Sequence, residues 1–243
     1  MVNRQPLSLD YFSSGVPTGA SFAQVLEDLR NIAASSGPRQ GIDRLSELIL
    51  IGALSYFEAF CKDTASAIVG IAPELISRLK ASNNDTSIDS LKAIELGDIL
   101  PAKVGSLIFE TYDFGNARKI NAVYQCLLKI TPFSKVESAY HDELLRDRNL
   151  IVHHGSVFTT RYLDQIRDKD NAERNVSDAF WNSLVVDRER VSKAIGFLSE
   201  LSKKIVKASQ KALESHLAEK LDTMDPERRT ALDLLGWWDG HGD

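Results

Sequence analysis

The chain has 243 residues, of which 43% are hydrophobic and 26% charged, with a formal net charge of −5. That is the balance of an ordinary globular protein long enough to bury a substantial core. The acidic total excludes a chain that holds nucleic acid by bulk charge, so any RNA contact has to rest on a local patch.

No charged-then-apolar leader opens the sequence, and no apolar run reaches the roughly 18 residues of a membrane span. Cys61 and Cys126 lie far apart and show no metal-ligand spacing. They fit two buried thiols of a reduced protein, so the expectation is a cytoplasmic protein with no membrane partner.

Residues 1–20 read as a flexible arm, broken by Pro6, Gly15, Pro17 and Gly19. A domain follows over 21–222. Its first helix is expected from near Ser21 to just before Gly37-Pro38. From Ile42 to about Ile71 the apolar residues occupy nearly every face, the mark of a central buried helix. Residues 81–90 are rich in Ser, Asn and Asp and predict a surface loop ending in helix caps. Helical pieces are expected across 88–96, 97–112 and 115–130, with Pro132 separating them from a helix over 134–154 that Gly155 closes.

Residues 167–177 read as a charged loop. A long helix is expected over 187–222, with Val191, Leu198, Ile205 and Ala212 at sevens and Ala194, Leu201 and Ala208 between them. At about 50 Å it would be longer than a compact domain needs, which suggests pairing with a second copy. The tail, 223–243, carries a short amphipathic helix from Asp225-Pro226, with Ala231, Leu234, Leu235 and Trp238 on one side. Trp237-Trp238 reads as a tail docked on its own domain, with partner binding as the sharper alternative. Hardly any segment reads as a strand, and the fold class is all-α.

The chemistry concentrates at Arg148-Asn149-Leu150-Ile151-Val152-His153-His154-Gly155. An arginine can hold phosphate charge and a histidine can move a proton near neutral pH. On an ideal helix Leu144, Leu145, Ile151 and Val152 fall within about 60° of Arg148, so the arginine sits on the stripe expected to face the core. It either snorkels to water along apolar surface or pairs with an anion. Glu58, on the long core helix with Glu47 on the same face, is the expected partner.

His153 lies about 140° round the helix from Arg148, so either the last turn departs from ideal geometry or a second chain completes the site. Asn149, four residues before His153, lies on its side of the helix. Taken alone, His153 also reads as a simple partner for the helix dipole.

The string Arg148-Asn149-x-x-x-His153, within RDRNLIVHHGSVFTTRYL, resembles the Arg-x4–6-His signature of HEPN domains in its Arg-Asn-x-x-x-His form, with a following Gly, an apolar residue and Tyr-Leu. The segment LILIGALSYFEAFCKDTASAIVGIAPEL resembles the long helix that precedes the motif in that family. The resemblance covers about residues 40–210. It implies a HEPN-like helical bundle that forms a homodimer and brings two motifs into one cleft. It also implies a metal-independent endoribonuclease in a toxin or phage-defence setting, using no cofactor and no metal, and restrained by a neutralising partner protein.

Under that resemblance Arg148 would hold the scissile phosphate, and His153 would be general base or acid in 2′-OH attack. Asn149 would orient substrate or His153, and Glu58 matches the acidic residue of the upstream helix. His154 is an extra histidine able to share the role of His153. The alternatives are a HEPN-fold scaffold that binds RNA or protein without cutting, and a regulatory bundle whose motif is only structural.

The cations Arg146, Arg148, Arg161, Arg167 and Lys169 are interleaved with Asp142, Glu143, Asp147 and Asp164, so the expected patch is modest. A zinc site from His141, His153, His154 and a cysteine has no supporting spacing. No Gly-rich phosphate loop and no Gly-x-Ser-x-Gly is present.

Overall fold

The computed structural model describes residues 4–35, 43–167 and 182–238. Among them the architecture is all-α. Helices α1 (Thr18–Ser35), α2 (Arg44–Ile71), α3 (Ile76–Ala81), α4 (Ser90–Leu96), α5 (Leu100–Phe109) and α6 (Ala117–Leu128) lead to α7 (Lys135–His154). Then come α8 (Thr160–Arg167), α9 (Arg188–Leu217) and α10 (Pro226–Leu235). The only extended pairing among the described residues is an antiparallel bridge between Val157 and Ser183. No described helix is long and apolar enough to cross a membrane.

Helix α2 is the axis of the bundle, as its all-round apolar sequence predicts. It packs against α1, α5, α7, α9 and α10, and Phe57, Cys61, Ala65, Ile68 and Val69 are essentially inaccessible. The closest approach is to α5. Gly105 lies directly against the Ser66 backbone, where any Cβ would collide with the carbonyl, so only glycine lets the helices come this near.

The long C-terminal helix is observed, but its seam has a different use from the one expected. Val191, Ala194, Leu198, Leu201 and Ile205 are all buried within the same chain, against α1, α2, α6 and α10. A heptad-like stripe records only that one face is covered, and here the cover is the chain's own core. The stripe is therefore not left over for a second copy.

The N-terminal arm also differs from expectation. Residues 8–11 form a 3-10 turn, and Tyr11 and Phe12 are buried. The Ser8 amide donates to Glu227 at 2.9 Å and the Ser13 amide to Asp63 at 2.8 Å. Two adjacent aromatics supply enough apolar area to dock a segment that its glycines and prolines alone would leave loose.

The tail docks on its own domain. Trp238 is buried, its ring packs edge-on to Phe22, and the Lys203 ammonium lies over it at 5.9 Å. The charged loop read at 167–177 lies outside the described residues from 168 onward, and so does Lys169.

Candidate functional site

Helix α7 is defined at both ends by local chemistry. Ser134 and Glu137 form a reciprocal capping box at its start, where each side chain satisfies a backbone amide. At its end Gly155 takes left-handed backbone (φ 58°), and its amide donates to the Ile151 carbonyl at 3.0 Å. Ser156 is left-handed as well (φ 72°), unusual for a residue with a side chain, and it is fully buried.

What holds Ser156 there is Glu47. The serine hydroxyl donates to Glu47 Oε1 at 2.6 Å, and Arg44 Nη1 donates to Glu47 Oε2 at 2.7 Å and to the serine oxygen at 3.3 Å. The first turn of α2 thus clamps the turn that follows α7.

A second brace grips the middle of the helix. Asp147 is only 1% exposed. It accepts a hydrogen bond from Tyr162 Oη at 2.7 Å and a close ion pair from Arg190, which also reaches Glu143 at 3.1 Å. Burial alone would lower the pKa of Arg190, but Asp147 and Glu143 outweigh it and raise it. The network ties α7 to α8 and α9.

These braces rotate the helix relative to the sequence reading. The buried stripe runs His141, Leu144, Asp147, Leu150, Ile151, so Arg148 stands on its margin, half-buried, and Val152 is exposed. The expected Glu58–Arg148 pair does not form. Among the described residues Arg148 has one polar partner, its Nη1 donating to Asn149 Oδ1 at 3.1 Å. Glu58 is half-buried on α2, and its charge, after burial itself, helps push the Cys61 thiol up. The anion that the sequence hid was Asp147. Its signal was its spacing, three after Leu144 and four before Ile151.

His153 and His154 are exposed at the end of α7. Together with Arg146, Asn149 and Leu150 they form one wall of a recess of about 300 Å³. The other wall is the start of α8, where Thr159, Arg161, Tyr162 and Gln165 face it. Among the described residues no carboxylate lines it. Asn149 and His153 are therefore brought together, as their spacing predicts, but Arg148 does not line this recess. The arginines that do are Arg146, seven residues and almost two full turns before His153, and Arg161 on α8. Sequence reasoning counted both as patch charge and gave neither a role.

Larger hollows lie elsewhere. One of about 570 Å³ between α1, α2 and α5 is walled by Phe22, Phe60 and Tyr56 and carries the charged groups Lys62, Asp63 and Glu110. Burial raises the pKa of Asp63, opposed by hydrogen bonds from Ser13 and Ser14. It holds no histidine, and volume alone does not make it the chemical centre.

His141, the third histidine of α7, belongs to the core. It is wedged between the rings of Phe57 and Phe133 at 5.5 and 5.1 Å, and burial lowers its pKa to about 4. Among the described residues no group of three or more His, Cys, Asp or Glu side chains is arranged to hold a metal ion. No protein-family model, no curated protein and no solved structure matches the chain.

Proposed function

We propose that the protein is a HEPN-type, metal-independent endoribonuclease working as a homodimer in the cytoplasm, in a toxin or phage-defence setting with a neutralising partner protein. The observation that carries this reading is the recess at the end of α7, where two exposed histidines and Asn149 share a wall with an arginine that makes no ion pair among the described residues. Imidazole is the side-chain group best suited to both accept and return a proton under cellular conditions.

In the proposed reaction His153 takes the proton of a ribose 2′-OH. The 2′-oxygen then attacks phosphorus, the bond to the 5′-oxygen breaks, and that oxygen leaves with a proton supplied by His154 or water. The products are a 2′,3′-cyclic phosphate and a 5′-hydroxyl. Asn149 orients the substrate or His153, and arginine charge stabilises the negative charge that builds on the phosphoryl oxygens.

Arg148, held by Asn149 outside the recess of its own chain, acts from the second copy. The exposed apolar side chains Leu48, Val152 and Val157 supply contact surface for that copy. Among the described residues Glu58 does not line the recess, and a part for it in the reaction rests on the resemblance alone.

The test is cleavage of total RNA by the purified chain in EDTA, beside His153→Ala. A cyclic-phosphate product that disappears in the folded variant supports the enzyme. The placement of Arg148 outside the recess favours a second reading, a scaffold that binds RNA or protein without cutting. That reading predicts retained RNA binding with no cleavage by either protein.

A further inference from the structure

We infer that the recess between α7 and α8 is a nucleotide-phosphate site in which Arg146 and Arg161, and not the Arg148 of the same chain, hold the phosphate facing His153. This deepens the ribonuclease reading and rests on it for the role of His153, but the binding claim stands on separate observations.

Arg146, Asn149 and His153 recur at three- and four-residue intervals along one stripe of α7, which points them into the same space. Arg161 faces them from the opposite wall, at the start of α8. Two guanidinium groups and two imidazoles thus border about 300 Å³ that no carboxylate of the described residues lines. That is enough room for one phosphate with the sugar or base attached to it.

Neither arginine is spent on structure. Among the described residues no hydrogen bond or ion pair is made by the side chain of Arg146 or of Arg161. Arg148, by contrast, is held by Asn149, and Arg190 is consumed by Asp147 and Glu143. Arg146 is also kept at a cost, because its Nε is buried without an acceptor. A half-buried, uncommitted guanidinium opposite a second one is what bidentate recognition of a phosphate requires. On a chain of net charge −5, a recess bordered by two guanidinium groups is also the kind of local patch that could attract an anion at all.

The site is tested by titrating the full chain with each of the four nucleoside 3′-monophosphates, with inorganic phosphate and with the unphosphorylated nucleosides, followed by calorimetry. The expected result is that at least one 3′-monophosphate binds while its nucleoside does not. Arg146→Gln and Arg161→Gln should each weaken it by roughly tenfold or more, and Arg118→Gln, at an exposed arginine of α6, should leave it within about twofold. Circular dichroism melting of each variant separates lost binding from lost fold. If Arg146→Gln melts early, Arg161→Gln, on an exposed residue, carries the comparison alone.

The inference is overturned if no 3′-monophosphate binds, if nucleosides bind equally well, or if neither Arg146→Gln nor Arg161→Gln weakens binding by more than about twofold. Failure here is distinct from failure of the ribonuclease. RNA cleavage without mononucleotide binding refutes this site only, whereas phosphate-dependent binding without any RNA cleavage upholds the site and refutes the enzyme.

Discussion

His141 makes the protein sensitive to acid, by an amount that follows from its surroundings. Its side chain is 2% exposed, lies between two phenylalanine rings and has Nδ1 buried with no partner. Burial sets its folded pKa at about 4, against 6.5 for an unperturbed histidine. As pH falls, the unfolded chain takes up this proton first. Stability is therefore complete above about pH 6.5 and drains away as pH drops toward 4.

The gap between the two values corresponds to about 3 kcal/mol in all, of which about 2 kcal/mol is gone by pH 5. His216, whose pKa is lowered by burial and by Arg78, adds in the same direction. Burial pushes Glu74 and Glu137 up, but a backbone hydrogen bond and Lys220 at Glu74, and Lys204 and Ser134 at Glu137, outweigh it and hold both below their usual range, so the stability they add is lost only at lower pH. The contribution of His141 is isolated by urea denaturation of wild type and His141→Leu between pH 7.5 and 5. The wild type should lose about 2 kcal/mol more than the variant over that range, and at pH 7.5 the variant should be no less stable by more than about 1 kcal/mol. Parallel stability curves for the two proteins would refute the assignment of a neutral, buried His141.

Three further outcomes follow from the packing. Gly105→Val should destabilise by more than about 3 kcal/mol or prevent folding, because a side chain there meets the Ser66 backbone and not a movable group; a soluble variant with an unchanged melting temperature would contradict this. Ser156→Ala should cost about 2 kcal/mol by taking a donor from the buried Glu47 carboxylate. Ser156→Gly should cost about 1 kcal/mol less, since glycine relieves the left-handed backbone, and chemical denaturation of the pair reads the difference. Arg190→Leu should cost about 3 kcal/mol through loss of the guanidinium that Asp147 and Glu143 share, and a double-mutant cycle with Asp147→Asn should return a coupling above about 1 kcal/mol.

Local signals in the sequence determined where the helices lie and which one is central. The run from Ile42 to Ile71 is apolar on all sides and becomes the axis, since no orientation of such a helix leaves a face fit for water. Ser134, Glu137 and Gly155 set the ends of α7 through bonds to neighbouring backbone, so its limits were legible within a residue. The same i, i+4 arithmetic that joins Asn149 to His153 placed them on one wall.

Tertiary structure decided everything that depends on which surface meets which. The stripe on α9 could have been a dimer seam and is instead the cover of α2. Tyr11 and Phe12 dock an arm whose composition reads as loose, and α8, short and without a strong start signal, supplies half of the recess.

The rotation of α7 was equally beyond the sequence. Arg148 and Asp147 are adjacent, and a periodicity argument cannot choose which of two neighbouring charges turns inward. Asp147 does, because Arg190, 43 residues away, and Tyr162 are positioned to compensate it. That choice moves Arg148 to the margin and turns the stripe of Arg146, Asn149 and His153 toward α8. Burial of a charge is decided by its partners, and those partners are distant in the chain.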